Sequence, residues 1–98
     1  MGQLLYGSPP VAFELDDRTL AHVEVVVLAK LRRNESFAFS VTAEDDSRSA
    51  IWLNPASIVQ FTYADAAQPL NREWLDQLID SANTPSGLKI TPEPAPRS

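Results

Sequence analysis

The feature that most constrains the fold is the order in which the hydrophobic period changes along the chain. Short stretches with a strand-like pattern occur at six places: 3–6, 11–15, 37–42, 50–53, 58–63 and 88–91. Apolar residues recur at helical spacing in two longer stretches, 20–31 and 74–82. The order strand, strand, helix, three strands, helix, strand predicts an α+β domain of two layers. In it, two helices pack on one face of a mostly antiparallel sheet.

The first helix is predicted between an aspartate cap and an asparagine stop. Asp16 or Asp17 can accept hydrogen bonds from the free backbone N–H groups at its start. Asn34 tolerates the left-handed conformation that closes a helix. The run 25–27 consists of valines, which favour strands. Because the apolar positions around it do not alternate, we nevertheless predict a helix.

The second helix has clear signals at both ends. Asn71 is a good N-cap, and Leu70 before it can pack against Leu75. Pro85 and Gly87 stop the pattern. Its apolar residues form one stripe and its charged residues cover the other side, so we expect one face to lie on the core.

Length and composition predict one globular domain. Ninety-eight residues are too few for two independent cores, and 44% apolar residues supply one. We assign 1–91 to this domain and 92–98 to a proline-rich, extended and solvated tail. The chain has no cysteine, no signal-peptide pattern and no apolar run long enough to span a bilayer. We expect a soluble cytoplasmic protein that does not enter a membrane.

Three cations near the end of the first helix are the strongest candidates for an anion site. Lys30, Arg32 and Arg33 lie in the last turn, where cations complement the negative end of the helix dipole. The net charge of −5 repels phosphate at long range, and we favour the structural explanation. The hypothesis that these cations bind an anion or a nucleic acid would regain support if Arg48 and Arg72 converged with them in the fold.

We expect no metal, no cofactor and no catalytic residue. His22 is the only histidine, and one histidine with scattered carboxylates is a weak ligand set for a metal. We interpret it as a residue on the surface of the first helix. The acidic residues of the second helix are interpreted as its solvated side. Nucleophile-elbow, dinucleotide, Walker and zinc-protease motifs do not occur in the sequence.

Surplus apolar material predicts self-association. The first helix is apolar on several faces, and Trp52 and Ile58 fall on the side of their strands opposite to the main core pattern. Exposed apolar patches usually mark association, and two-fold pairing is its commonest form. We therefore expect a homodimer in which Trp52 and Ile58 contribute to the contact.

Nearly the whole chain resembles a family of small, uncharacterised bacterial proteins of about this length. The resemblance is carried by four stretches: "MGQLLYGSP", "DDRTLAHVEVVVLAKLRRNESFAFS", "IWLNP" and "LNREWLDQLIDSANTPSGL". Members are often labelled "ATP-dependent DNA ligase" by automated naming, and the resemblance implies no catalytic residue. A ligase acylates the lysine of a KxDG motif, but Lys30 and Lys89 are the only lysines and neither begins one. The chain is also too short for an adenylation domain.

The sequence thus leads to two hypotheses of different class. The first is a non-enzymatic cytoplasmic interaction or structural module that forms a homodimer. The alternative is a nucleic-acid-associated accessory protein, with a role related to DNA repair, that uses the cations at the end of the first helix. Salt-sensitive binding of DNA or RNA would distinguish the second from the first.

Overall fold

The computed structural model describes residues 1–42, 46–65 and 68–95. The α+β class and the predicted element order are confirmed. The elements are β1 (Gly2–Tyr6), β2 (Val11–Leu15), α1 (Asp17–Arg32), β3 (Phe37–Thr42), β4 (Arg48–Leu53), β5 (Val59–Thr62), α2 (Arg72–Ala82) and β6 (Leu88–Lys89). Parts of three predicted segments lie outside the described residues: the acidic β3–β4 connection at 43–45, the loop at 66–67 and the tail at 96–98.

The six strands divide into two sheets of three. One sheet has the order β2-β1-β5 and is antiparallel throughout, and the other has the order β4-β3-β6. In the second sheet, β3 pairs antiparallel with β4 and parallel with β6. The chain reaches β6 only after α2, and that connection allows β6 to lie parallel to β3.

One face of the sheet β4-β3-β6 lies on the core. Phe39 lies opposite both Ile51 and Leu88, and Phe37 lies opposite Leu53. All of these side chains except the half-buried Ile51 are buried. Because successive residues of a strand point to opposite faces, the intervening positions form what we call the outer face. This outer face carries Ala38, Ser40, Thr42, Arg48, Ala50, Trp52 and Lys89.

The valine-rich helix α1 forms because it is buried. Val23, Val26 and Val27 are fully shielded from solvent, together with Leu20. Burying side chains of this size is worth about 1.5–3 kcal/mol each, which exceeds the few tenths of a kcal/mol by which valine disfavours a helix. Tertiary packing therefore outweighs the strand propensity of this segment.

The ends of both helices follow the signals in the sequence. The side chain of Asp16 accepts the backbone N–H of Arg18 at the start of α1. Asn34 follows α1 with a φ of 59°, the left-handed conformation predicted for it. The Asn71 side chain accepts the N–H groups of Glu73 and Trp74 at the start of α2.

Gly87 connects α2 to β6 in a position that only glycine fills. Its φ is +82°, and a Cβ atom there would lie 2.4 Å from the carbonyl oxygen of Ala38. This close approach brings β6 alongside β3. None of the helices in the described part of the chain has the length and apolar character to cross a membrane.

Candidate functional site

The structure gives Lys30 local partners at the end of α1. Its ammonium group lies 3.0 Å from the Glu35 carboxylate and donates a hydrogen bond to the side-chain oxygen of Asn83. The Lys30 side chain is only 12% exposed, while Arg32 and Arg33 beside it are exposed to solvent. The helix-end interpretation of this cluster therefore has direct geometric support, because its most buried cation is already neutralised.

The five cations considered as a possible anion contact are not brought together. Lys30 contacts Asn83 at the end of α2, whereas Arg72 is at the start of that helix, about 15 Å away along the axis. The Lys30 ammonium group lies over the ring of Phe37, at one end of β3. Arg48 lies opposite Thr42, at the other end of that strand. The length of β3 separates these ends by about 16 Å.

Arg48 has a different neighbour, which the sequence argument missed. Ser40 of β3 lies directly opposite Lys89 of β6, and its hydroxyl is 3.4 Å from the Arg48 guanidinium. Arg48 and Lys89 thus flank a buried serine on the outer face of the sheet. Alternation in β3 places Ser40 opposite to the core side, but only the pairing of β6 with β3 shows that Lys89 belongs beside it.

A cleft of about 570 Å³ lies over these residues. Ser40, Thr42, Arg48 and Lys89 form the sheet side of the cleft. The end of β2 and the start of α1 form its other side.

Three exposed apolar residues, Val11, Trp52 and Ile58, lie on segments that contact Tyr6 or Gly7 where the two sheets meet. Val11 lies directly opposite Tyr6 in the hairpin, and the Tyr6 hydroxyl donates to the Trp52 carbonyl at 2.8 Å. The Ile58 carbonyl accepts the backbone N–H of Gly7. Val11 and Trp52 are each 56% exposed and Ile58 is 63% exposed. We call this surface the uncharged corner, and it contains both residues predicted for self-association.

The segments that form the uncharged corner contain no charged side chain. The stretches 2–13 and 49–64 supply β1, most of β2, most of β4, and β5. These 28 residues contain no Asp, Glu, Lys or Arg, although 21% of the whole chain is charged and about six would be expected. A shallow groove of about 390 Å³ adjoins Trp52 and is lined also by Ala38, Pro85 and Gly87.

His22 is buried inside the protein, and its predicted position on the helix surface is wrong. Its Nδ1–H donates to the Arg18 carbonyl at 2.7 Å, and its Nε2 accepts the backbone N–H of Asn71 at 2.8 Å. The ring packs on Trp74, with 4.5 Å between centroids. Nε2 joins α1 to the start of α2 and satisfies the buried backbone N–H of Asn71, while Nδ1–H holds the ring against its own helix. Neither nitrogen is available for a metal or a proton transfer.

The start of the C-terminal tail is held on the same network. The Arg18 guanidinium binds both carboxylate oxygens of Glu93, at 2.6 and 2.5 Å, and the Asn71 amide donates to Glu93 and to the Pro94 carbonyl. The hydrogen bonds from Arg18 and Asn71 lower the pKa of Glu93 to about 2. Trp74 Nε1–H donates to the Thr91 carbonyl. The tail, which the sequence predicts to be extended and solvated, is thus attached to both helices at its first residues.

Among the described residues, no three histidine or acidic side chains come together in a way that would hold a metal ion. In comparisons with known proteins, no curated protein and no solved structure matches the chain. The model of one family, described as a domain of unknown function, DUF7882, matches residues 1–93. This match includes every helix and strand and the Arg18–Glu93 ion pair. The chain belongs to the DUF7882 family.

Proposed function

We propose that this protein is a non-enzymatic cytoplasmic interaction module that forms a homodimer through the uncharged corner. The observation that carries the proposal is that Val11, Trp52 and Ile58, each more than half exposed, lie on segments that contact the neighbouring residues Tyr6 and Gly7. When a partner covers large exposed apolar side chains, the free energy falls by about 25 cal/mol per Å² of apolar surface that is buried.

The charge distribution favours a second copy as the partner. The whole chain carries a net charge of −5, so two copies repel each other over most of their surfaces. The segments of the uncharged corner contribute no charge to this repulsion. Two copies can therefore approach most closely at the corner, where like charges do not have to be desolvated.

The shape around Trp52 is compatible with a two-fold contact. The indole ring projects from the outer face next to the groove that Ala38, Pro85 and Gly87 line. In a symmetric dimer, the Trp52 of each copy can enter the groove of the other, because the same patch is used twice. Tryptophans that fill a partner's pocket dominate the energetics of many interfaces.

The nucleic-acid alternative receives less support from the geometry. Lys30 is paired with Glu35. Arg48 lies beside the end of β3 that is far from Lys30, and Arg72 lies at the end of α2 that is far from it. Arg32 and Arg33 are left as two exposed cations on an acidic protein. Two cations give a weak electrostatic hold on a phosphate backbone. The ligase label does not alter this ranking, because the sequence lacks the lysine motif of that chemistry.

The test is sedimentation velocity over a range of protein concentrations, with Trp52→Glu and Ile58→Glu compared with the unmodified chain. Removing a central interface anchor costs about 2 kcal/mol or more, so each variant should raise the dimer dissociation constant about thirtyfold or more. Leu70→Glu is the matched control, because Leu70 is also about half exposed, at 52%, but lies outside the corner. A monomer at all concentrations, or equal effects of all three variants, would refute the proposal.

A further inference from the structure

The cleft over Ser40 has a feature that the proposed self-association does not use. Its sheet side carries two cations, Arg48 and Lys89, and neither forms an ion pair with any residue that the structure describes. By contrast, Arg18 forms an ion pair with Glu93, and Lys30 forms one with Glu35. Two cations on the strands that flank β3, without an ion-pair partner among the described residues, raise the positive potential between them, which favours an anion there.

The register of the sheet directs both cations toward the same serine. Lys89 lies directly opposite Ser40 on one side of β3, at a spacing of about 4.8 Å between strands. Arg48, on the other side, reaches the Ser40 hydroxyl at 3.4 Å. The hydroxyl accepts this long contact and keeps its own proton to donate. A guanidinium fork, an ammonium group and a hydroxyl donor thus border one position, and together they match an oxyanion.

The opposite side of the cleft carries two carboxylates, beside Met1, whose amino group is 3.9 Å from the Asp17 carboxylate. Glu14 and Asp16 line this side at the end of β2, together with the hydroxyl-bearing Thr19. One Asp16 oxygen caps α1, and the Glu14 carboxylate forms no ion pair within the described ranges. The carboxylates do not pair with Arg48 or Lys89 across the cleft, so the two charged sides stay apart. A molecule with charges at both ends would satisfy both.

We propose that the cleft binds a small zwitterionic molecule. Its carboxylate or phosphate group lies on Arg48, Ser40 and Lys89, and its amino group points toward Glu14. A volume of about 570 Å³ is within the range of small-molecule sites. No covalent step is involved. The site is independent of the dimer contact, so the Trp52→Glu variant should bind the same molecule.

The experiment is titration of the full chain, labelled with ¹⁵N, with two matched pairs of probes. One pair is 2-aminoethyl phosphate and ethyl phosphate, and the other is 4-aminobutyrate and butyrate. The expected result is that the amino member of at least one pair binds more tightly than its partner and shifts the amide signals of Ser40, Thr42 and Lys89. The pair that shows the effect identifies the oxyanion as phosphate or carboxylate.

Variants then assign the two sides of the cleft. Arg48→Ala and Lys89→Ala should each weaken binding about tenfold or more, because each removes a charge-assisted hydrogen bond. Glu14→Gln should weaken only the amino member of a pair. Arg32→Ala is the control, an exposed arginine outside the cleft, and should bind as the unmodified chain does. The proposal is overturned if no probe shifts these amides, if the amino group makes no difference, or if both cation variants bind normally.

Discussion

At the scale of single residues, His22 shows why a pattern of residue types is an incomplete guide. A lone histidine on a helix is usually solvated, and nothing near it in the sequence suggests otherwise. The structure places it under Asn71, which is 49 positions away, and the backbone N–H of that residue needs an acceptor. Burial of His22 is thus set by a non-local contact, which local periodicity does not encode.

The buried histidine leads to a prediction about stability. His22→Leu supplies an apolar side chain of similar size but leaves the buried Asn71 N–H without its acceptor. The Arg18 carbonyl keeps the backbone N–H of residue 22 as its helical partner. A buried polar group that loses its partner costs about 1–3 kcal/mol, and we expect the free energy of unfolding to fall by this amount, measured by urea denaturation.

Arg32→Ala, on the exposed end of the same helix, provides the comparison for that measurement. An exposed substitution should stay within about 0.5 kcal/mol of the unmodified chain. If His22→Leu were equally neutral, the hydrogen bonds of the imidazole would contribute nothing to the stability of the fold, and our account of its role would be wrong.

At the scale of elements, local signals predicted what each segment forms but not how the strands are combined. Asp16, Asn34 and Asn71 end their helices as their side-chain chemistry indicates. The division into two sheets depends on β1 pairing with β5 and β3 pairing with β6. The paired strands are separated by long stretches of sequence. Alternation with a period of two residues shows which face of a strand is apolar, but it does not show which strand lies beside it.

The cleft illustrates the same difference between local and non-local information. In the sequence, Arg48 is a candidate because it is a cation, and charge alone groups it with Lys30. The parallel contact of β6 with β3 brings Lys89 beside Ser40 instead. The two-residue strand β6 has too short a pattern for its partner to be deduced.

The attached tail gives a prediction about pH. The pKa of Glu93 is lowered from 4.5 to about 2 in the folded protein, first by the hydrogen bond from Arg18 and then by that from Asn71. A carboxylate with a lowered folded-state pKa stabilises the fold above its unfolded pKa and loses that contribution as the pH falls through the folded value. The stabilisation by Glu93 should therefore be complete above about pH 5 and disappear toward about pH 2.

Urea denaturation of the unmodified chain, Arg18→Ala, Glu93→Gln and the double variant would measure this contribution. The interaction energy from the double-mutant cycle should be favourable at neutral pH and should shrink toward zero as the pH approaches 2. Because Glu93 is at the surface, the effect is modest and salt-sensitive. A cycle whose interaction energy stays constant over this range would show that the ion pair is not what holds the tail.

At the scale of the whole molecule, the fold keeps the two proposed surfaces apart on one strand. Arg48 begins β4 at the cleft, and Trp52 lies near its other end at the uncharged corner. Four residues of a strand separate them by about 13 Å. Both surfaces therefore include part of the outer face of the sheet β4-β3-β6.

The same separation of charge from apolar surface predicts how salt acts on association. Two chains that each carry a net charge of −5 repel each other outside the corner, and salt screens this repulsion. The screening length falls from about 10 Å at 0.1 M salt to about 3 Å at 1 M. The dimer of the proposed function should therefore become several-fold tighter over this range, since apolar contacts are not weakened by salt. Binding of nucleic acid through Arg32 and Arg33 should become weaker instead.

Sedimentation equilibrium at low and high salt distinguishes these directions, with fluorescence anisotropy of a labelled oligonucleotide measured in the same buffers. The Trp52→Glu variant adds a negative charge to each copy at the corner. This variant should lower the affinity of the two copies for each other most at low salt, and part of the lost affinity should be recovered at high salt. An association that weakens as salt is added would mean that charged side chains, not the uncharged corner, form the contact between the two copies.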